Sequence, residues 1–345
     1  MLNLPLLAFL ACSSSPETPS TGVSKAETKT ESPANPAVHP KAEQLQKQAS
    51  TILGVLPDTM PGSENDTLEK IALGKKLYFD KALSINDSQS CNSCHDLNNG
   101  NMGVDHEPTS PGAKGERGGR NSPTSVNAGF HIAQFWDGRA GDLKAQAKGP
   151  ILNPGEMAMP DEETVMAKLS GIVGYPAMFR SAFPEQNKVM TYDNLAEAIA
   201  AFERTLISRD RFDTFQNGDL AALNEQELRG LEFFVNTGCV GCHNGATIGG
   251  SSYQKVGVVI PYMTEDSEDI GRAAITGNEA EKFFFKVPSL RNVAKTAPYF
   301  HDGEVPTLEE AVSIMAEIQL GKELNSDEVD DIVAFLNTMN GEITF

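Results

Sequence analysis

Two short motifs of the same form hold four of the five cysteines in this sequence. Each motif is Cys-x-x-Cys-His, within "SQSCNSCHDLNNG" and "TGCVGCHNG". Their residues are Cys91, Cys94 and His95 in the first motif and Cys239, Cys242 and His243 in the second. Two thiols at this spacing can add to the two vinyl groups of one porphyrin, and the next residue then lies beneath the ring with its imidazole on the iron. The motifs therefore predict two covalently attached c-type haems, and hence two haem c cofactors.

Zinc is the alternative chemistry that these cysteines could support, because two Cys-x-x-Cys pairs can supply four thiolates. A redox dithiol uses the same spacing. Zinc pairs usually lie closer in sequence than Cys91 and Cys239, which are 148 positions apart. Neither alternative requires a His directly after both pairs, so haem attachment is favoured. Attachment of this type occurs outside the bacterial cytoplasm, which implies an exported protein.

The N-terminal segment agrees with export. Residues 1–12, "MLNLPLLAFLAC", resemble a bacterial lipoprotein signal in which Cys12 is lipidated after cleavage, although the basic residues that usually open such a signal are missing. The apolar run is too short to span a membrane. Residues 13–44 have almost no large apolar side chains and are predicted to be a disordered tether in which His39 is solvated. The expected location is the periplasm, with a possible lipid anchor to the membrane.

Length indicates the number of domains, and net charge indicates the kind of partner. A chain of 345 residues is long enough for two ordinary domains. The formal net charge of -19 makes nucleic acid an unsuitable partner, whereas a basic protein would be steered toward the surface.

Similar helical segments precede the two motifs, at 68–80 and 224–236. In each, a glycine, Gly74 or Gly230, is followed within five residues by an aromatic pair. This repetition indicates a duplicated cytochrome-like unit. The chain after each motif is rich in Gly, Asn and Pro, which predicts long loops.

Further helices are predicted between and after the motifs. The stretch 191–210 places apolar side chains on one helical face and is expected to close a first domain. "PTLEEAVSIMAEIQLG" begins with a capping box formed by Thr307 and Glu310, and "SDEVDDIVAFLNTM" is a second capped amphipathic helix. The best strand signal is "KVGVVI" at 255–260. The fold class is therefore mainly α.

Three long segments resemble the bacterial dihaem cytochrome c peroxidases. They are the two haem motifs, "RNSPTSVNAGFHIAQFWDGRAGDLKAQAKGPILNPGEM" and "KVPSLRNVAKTAPYFHDGEVPTLEEAVSIM", and the likeness runs from about residue 52 to the C-terminus. The resemblance implies two cytochrome c-like domains, 45–207 with the peroxidatic haem and 208–345 with an electron-transfer haem. Electrons would come from a small periplasmic cytochrome c or cupredoxin. Hydrogen peroxide takes two electrons and such donors give one at a time, so a second haem would serve as a store.

The resemblance also implies the catalytic residues. Glu156 would move a proton between the two peroxide oxygens, which is general acid–base work suited to a carboxyl group in a partly dry pocket. Gln146 would hydrogen-bond the peroxide, and Trp136 would relay electrons between the haems. Taken without the family, the structural readings are favoured, because such residues are more often a solvated turn residue, a helix-surface residue and a core anchor, respectively. Their joint match in register favours the functional roles.

Met315 is the residue that the resemblance implies as the axial ligand of the second haem iron, with His95 and His243 as the other axial ligands. Its spacing alone fits an apolar helical stripe, in which Met is a common gap-filler. His/Met ligation raises a haem potential, as an electron-accepting site requires. The related enzyme that matures the quinone cofactor of methylamine dehydrogenase has Tyr at this position.

A calcium ion between the haems is also implied by the resemblance. Its ligands would be the Asn121 side chain and the backbone carbonyls of Thr296 and Pro298. Oxygen ligands suit Ca²⁺, and water would complete the coordination.

The sequence departs from the family in the loop after the first motif. Many members block the resting peroxidatic haem with a His at the position of Ala113. Here the only His of that loop is His106. Either His106 ligates the iron from a shifted position, or the iron is open and the oxidised enzyme is active. The second hypothesis is favoured, with His131 in a structural role near the haems and His301 hydrogen-bonding near the second haem.

Two other functions remain as alternatives. A dihaem electron carrier would need sixth ligands on both irons and would have no use for Glu156 or Gln146. A dihaem oxidase that matures another protein is disfavoured by Met315. Family members are often dimers, so a homodimer is possible, although no apolar interface can be identified in the sequence.

Overall fold

A computed structural model describes residues 39–345. Twelve helices and two short strands in this range confirm that the fold is mainly α. The helices of this part are α1 (Ala42–Ile52), α2 (Leu68–Phe79), α3 (Cys91–Cys94), α4 (Leu143–Leu152), α5 (Glu162–Ser170), α6 (Tyr175–Ala182), α7 (Tyr192–Glu203), α8 (Arg211–Gln216), α9 (Glu225–Thr237), α10 (Ala273–Thr276), α11 (Leu308–Leu320) and α12 (Ser326–Asn337). Two short strands, β1 (Tyr253–Lys255) and β2 (Phe284–Lys286), pair antiparallel. No helix in this range is long and apolar enough to cross a membrane. The predicted signal segment and Cys12 lie outside the described residues.

The duplication predicted from the sequence is present as two equivalent helix pairs, α2 with α7 and α9 with α12. A glycine lies at each crossing. A Cβ added to Gly74 would be 1.8 Å from the Ala198 carbonyl oxygen, and one added to Gly230 would be 1.8 Å from the Asp331 carbonyl oxygen. Both glycines are therefore required by close contact between helix backbones rather than by an unusual φ angle.

The loop that follows each motif repeats as well. Asn127 and Asn292 both have left-handed backbones, with φ of 63° and 61°, and each precedes a single 3₁₀ turn. Both side chains are buried, and both donate to the hydroxyl of Ser208, at 3.0 and 2.7 Å. Ser208 lies in the segment that connects the two halves. Its buried hydroxyl group is therefore an acceptor that the two equivalent loops share.

The two hydrophobic cores correspond to the two halves of the chain, but each terminal segment packs with the opposite half. Helix α1 begins at Ala42, inside the stretch predicted to be a tether, and packs in the C-terminal core against α8 and α9. Conversely, the C-terminal Phe345 stacks on Phe79 of the N-terminal half, with ring centroids 5.9 Å apart. The tether prediction was thus wrong for residues 42–44, and α1 packs with the C-terminal half although the predicted N-terminal domain included most of it. The apolar residues of α1 gave no sequence signal of which core they join.

The strand predicted at 255–260 is wrong beyond Lys255. Gly257 has φ of 73° and turns the chain out of the sheet. The N–H groups of Val259 and Ile260 instead donate to the Ile318 carbonyl near the end of α11. The strand that forms, residues 253–255, begins two residues before the predicted one and pairs with β2.

Helix starts follow the local signals closely. The Thr307 hydroxyl accepts from the Glu310 N–H at 3.2 Å, which forms one half of the predicted capping box before α11. Complete capping boxes form at Asn224 with Glu227 and at Asn325 with Glu328, before α9 and α12. These caps satisfy the N–H groups that a first helical turn leaves unpaired.

Replacing Gly230 with Ala is expected to destabilise the protein. The added methyl group collides with the backbone of α12, so the helices must separate, and overpacking of this kind costs about 1–3 kcal/mol. The gain of about 1 kcal/mol in helix propensity opposes this loss. Gly141→Ala is the matched control, because nothing lies within 4 Å of its added Cβ. The measurement is urea unfolding of the haem-loaded protein. A midpoint for Gly230→Ala equal to that of the control would contradict the close approach.

Candidate functional site

The first haem motif lies on a single helical turn, α3. Ser90 and Ser93 form a capping box that fixes its start, and the His95 N–H donates to the Cys91 carbonyl at 2.9 Å. The His95 carbonyl in turn accepts from the Tyr78 hydroxyl at 2.7 Å. The short turn therefore holds both thiols and the imidazole in one compact unit against α2.

The second motif begins in a 3₁₀ turn, Cys239–Gly241, and has the same internal bond, from the His243 N–H to the Cys239 carbonyl at 2.9 Å. All three motif residues line a cavity of about 250 Å³ whose other walls are mostly apolar. Met315, half-buried on α11, lines the same cavity. The structure thus brings the predicted axial methionine together with the second motif.

The histidines of both motifs fit haem ligation. The Nδ1 atoms of His95 and His243 are buried, which leaves Nε2 as the nitrogen that can reach an iron. Burial lowers the pKa of His95 below its usual value and that of His243 to about 4, while nearby backbone groups, including those of Pro123 and Pro288, oppose the shift. Both imidazoles are therefore neutral near pH 7, which is the form that binds a metal.

The four motif thiols do not converge. Cys91 packs against the N-terminal core and Cys239 against the C-terminal core. Among residues 39–345, no three His, Cys, Asp or Glu side chains are grouped closely enough to hold a metal ion. The geometry therefore provides two separate cysteine pairs, each with its own His, rather than a single four-thiolate zinc site.

Glu156 lies in the turn after α4 and close to the first motif. Burial raises the pKa of the Cys94 thiol, and the negative charge of Glu156 contributes to that shift. The pKa of Glu156 itself is raised by burial, against the opposing effects of Asn153 and the Arg139 charge. Asn153 Nδ2 donates to Glu156 Oε1 at 2.6 Å. The structure therefore places a largely buried carboxyl group, oriented by an amide, beside the first haem-attachment site.

The backbone also holds Glu156 in place. Its carbonyl accepts from the Ala113 N–H at 2.6 Å, so the loop after the first motif packs on the turn that carries Glu156. Gln146 lies on α4, the helix that leads into this turn, and is partly exposed. Within the described chain its side-chain amide makes no hydrogen bond to protein, which leaves it available to a ligand.

Trp136 lies on the wall of the cavity that holds the second motif. Its indole Nε1 donates to the Asn121 carbonyl at 2.8 Å, and its ring meets His301 edge to face, with centroids 6.3 Å apart. Trp136 and His301 occupy equivalent positions in the repeat, each following a phenylalanine with positive φ, 66° for Phe135 and 68° for Phe300. The only Trp of the chain therefore stands where the two halves meet.

Comparisons with known proteins agree with this geometry. A family model described as di-haem cytochrome c peroxidase matches residues 68–221, and a cytochrome c model matches residues 227–340. The chain is 50% identical to the cytochrome c551 peroxidase of Nitrosomonas europaea over 273 residues, which are 78% of this chain and 79% of that protein. It is 44% identical to the cytochrome c551 peroxidase of Pseudomonas aeruginosa, with 88% of each chain covered. The chain belongs to the di-haem cytochrome c peroxidase family. It is therefore an oxidoreductase that acts on peroxide and carries two haem c groups.

A solved structure also resembles this family member. It is described as a MauG-like protein associated with microbial copper homeostasis, and it has 28% sequence identity and a TM-score of 0.73. The match covers 82% of this chain and 93% of that one. The fold with two haem domains is thus shared across most of the described residues.

His106, the possible distal ligand, lies between oxygens of two other residues. Its Nδ1 lies 2.9 Å from the Ala297 carbonyl oxygen, and its Nε2 lies 3.2 Å from Asn101 Oδ1. Both ring nitrogens are thus engaged by protein oxygens, one of which belongs to the C-terminal half. Ala113, where the resemblance implies a His in other members, is buried against the Glu156 turn.

The three residues implied as calcium ligands, Asn121, Thr296 and Pro298, are among those that line the cavity of the second motif. Asn121 Nδ2 donates to the carbonyls of Glu107 and Pro108, at 3.1 and 3.3 Å. The amide is therefore oriented, and its Oδ1 is the atom that could serve as an oxygen ligand.

Some residues of the site gave no clear sequence signal. Asn153 and Arg139 act on the Glu156 carboxyl group, and their closeness in sequence to "NPGEM" and "FWDGR" could have identified them. Lys286, on β2, lines the cavity of the second motif and is almost fully buried. Nothing in "FFFKVP" distinguishes it from a surface lysine.

Proposed function

We propose that the protein reduces hydrogen peroxide to water with electrons that a small periplasmic cytochrome c or cupredoxin delivers singly. The observation that carries this proposal is the different surroundings of the two motifs. The first has a partly buried carboxyl group, Glu156, beside it, whereas the second shares its cavity with Met315. One site is equipped for proton transfer and the other for electron storage.

Glu156 is the proton-transfer residue of this proposal. A haem attached at the first motif supplies the redox chemistry that breaks the O–O bond. Glu156 accepts the proton of the near peroxide oxygen and gives it to the far one, which leaves as water. Asn153 fixes one carboxyl oxygen, so the other is free for this transfer, and Gln146 orients the peroxide through its amide. Partial burial raises the pKa of Glu156, which suits the group to proton exchange.

Trp136 and Met315 serve the electron path. Trp136 lies against the cavity of the second motif and passes electrons toward the first, with its indole fixed by the Asn121 carbonyl. Met315 and His243, which line one cavity, would together hold the iron of the second haem. A thioether ligand would raise the potential of that haem and suit it to accept an electron from the donor. The net charge of -19 steers a basic donor toward the surface.

Arg139→Met is expected to shift the acid limb of the pH profile of kcat/KM to higher pH. Glu156 must be ionised to accept a proton, so kcat/KM falls as the pH drops through its pKa. That pKa is already raised by burial, and the Arg139 charge holds it down. Without that charge it rises further, and activity is lost at a higher pH than in the wild type. Arg180→Met, an exposed change on α6, should leave the profile unchanged. An acid limb that does not move would contradict the role of Arg139.

The resting enzyme is proposed to be active when fully oxidised. His106 is engaged by Ala297 and Asn101, and Ala113 carries no ligating group, so nothing on this loop caps the first iron. EPR of the oxidised protein should show one high-spin ferric signal and one low-spin signal. Two low-spin signals would mean that His106 leaves its partners and ligates.

Three accessory features complete the proposal. Asn121, Thr296 and Pro298 would hold a Ca²⁺ ion through their oxygen atoms. Cys12 would carry a lipid anchor, and the protein would function in the periplasm, where it can form a homodimer. The calcium ligands are supported by the presence of all three residues among those that line one cavity.

Electron stoichiometry tests the function. With a reduced cytochrome c or cupredoxin as donor, each hydrogen peroxide consumed should oxidise two donor molecules. A dihaem electron carrier would exchange electrons with the donor without consuming peroxide. An oxidase that matures another protein would use peroxide slowly in the absence of its protein substrate, whatever the donor concentration.

A further inference from the structure

Lys286 is a buried cation in the cavity of the second haem motif. It is the last residue of β2, where it pairs with Tyr253, and only 6% of its surface is exposed. It lines the same cavity as His243 and Met315. A lysine is seldom buried to this degree unless its charge is paired.

The ammonium group has no carboxylate partner within residues 39–345. Its single polar contact there is His131 Nδ1, at 3.4 Å. Burial lowers the pKa of Lys286 to about 8, so the amine is still mainly protonated at neutral pH. An unpaired buried charge is costly, and this one needs an anion.

His131 adds a second unsatisfied donor to the same wall. Burial and the Lys286 charge hold its pKa well below the usual value, so the ring is neutral. Because Nδ1 accepts from Lys286, the ring proton lies on Nε2. That nitrogen is buried and has no hydrogen-bond partner in the part of the chain described. Two adjacent donors therefore lack an acceptor.

The backbone fixes both side chains. The Lys286 N–H donates to the Trp136 carbonyl at 2.7 Å, and the Ile132 N–H donates to the Gly250 carbonyl at 2.9 Å. Gly250 packs directly on His131, and a Cβ there would lie 2.3 Å from the ring. The His131 ring is therefore held against the Gly250 backbone, and the strand that carries Lys286 is held beside it.

We propose that Lys286 and His131 bind a propionate carboxylate of the C-terminal haem and thereby raise its reduction potential. Each haem c carries two propionates, and a carboxylate accepts from two donors at once. The proposal requires only that the second motif holds a haem, so it stands apart from the peroxide chemistry. A positive charge that offsets a propionate disfavours the additional charge of ferric iron. Its loss lowers the potential.

Potentiometric titration of the full-length dihaem protein tests the assignment. In Lys286→Met, the ratio of ferrous to ferric C-terminal haem at a fixed ambient potential should fall about tenfold, which corresponds to a downward shift of about 59 mV for a one-electron couple. Lys286→Arg keeps the charge and should remain near the wild type. Lys255→Met is the matched control, because Lys255 is exposed on the partner strand.

Equal potentials for wild type and Lys286→Met would overturn the proposal, as would an equal shift in Lys255→Met. If Lys286→Met fails to accumulate with both haems, Lys286→Gln and Lys286→Arg decide the matter. Gln keeps a donor but loses the charge, so a lowered potential in Gln alone supports the pairing. Identical potentials in Gln and Arg exclude it.

Discussion

Glu156→Gln should lower peroxide turnover by at least about a hundredfold while both haem spectra stay unchanged. The amide is nearly the same size as the carboxyl group and can still interact with Asn153, so the turn that carries it should keep its shape. It cannot accept a proton from peroxide at neutral pH. General acid–base catalysis contributes about 10²–10⁴ in rate, which sets the size of the loss. The measurement is steady-state kcat/KM with a reduced donor.

Glu116→Gln is the control for this experiment. Glu116 is an exposed carboxylate of the loop that packs on the Glu156 turn, and the Gly112 N–H donates to its carbonyl. The change removes the same charge from nearly the same place without touching the buried carboxyl group. Turnover in Glu156→Gln that matches the wild type would rule out Glu156 as the proton carrier, and an equal loss in both variants would indicate a general electrostatic effect.

Met315→Leu should change the second haem and leave the first intact. Leucine fills a similar volume on α11, so packing is expected to cost less than about 1.5 kcal/mol. It cannot ligate iron, and the second haem should turn from low-spin to high-spin. Its potential should drop by a sizeable part of the roughly 0.8 V range that axial ligands control. Electron uptake from the donor, and with it peroxide turnover, should then be largely lost.

Met339→Leu separates ligation from packing. Met339 is fully buried in the C-terminal core and is not among the residues that line the cavity. It should keep the spectrum, the potential and the activity of the wild type. A low-spin second haem in Met315→Leu would mean that another residue provides the sixth ligand and that Met315 belongs to the apolar stripe of its helix.

The fold was predictable wherever its signals are local. The helices at 68–80 and 224–236 form almost as predicted, because caps and apolar periodicity act within a few residues. The prediction failed at 255–260, where Gly257 redirects the chain and the end of α11 provides the hydrogen-bond acceptor. That acceptor, Ile318, is about 60 positions away, and no local pattern encodes it.

In the candidate site, too, the features that depend on neighbouring residues were predictable, and those that depend on distant residues were not. Each Cys-x-x-Cys-His motif is contiguous, and its attachment chemistry depends on neighbours within five residues. The sequence by itself therefore determined two covalent haems, and the long resemblance determined the family.

Only the tertiary structure decided how residues distant in sequence are paired and buried. It ties His106 to Ala297 of the other half, and it places Met315 in the cavity of His243. Lys255 and Lys286 lie on paired strands, yet one is exposed and the other almost fully buried. Burial sets the electrostatic cost of a charge, and it depends on which distant segments close over a side chain, so residue type and spacing could not distinguish these two lysines.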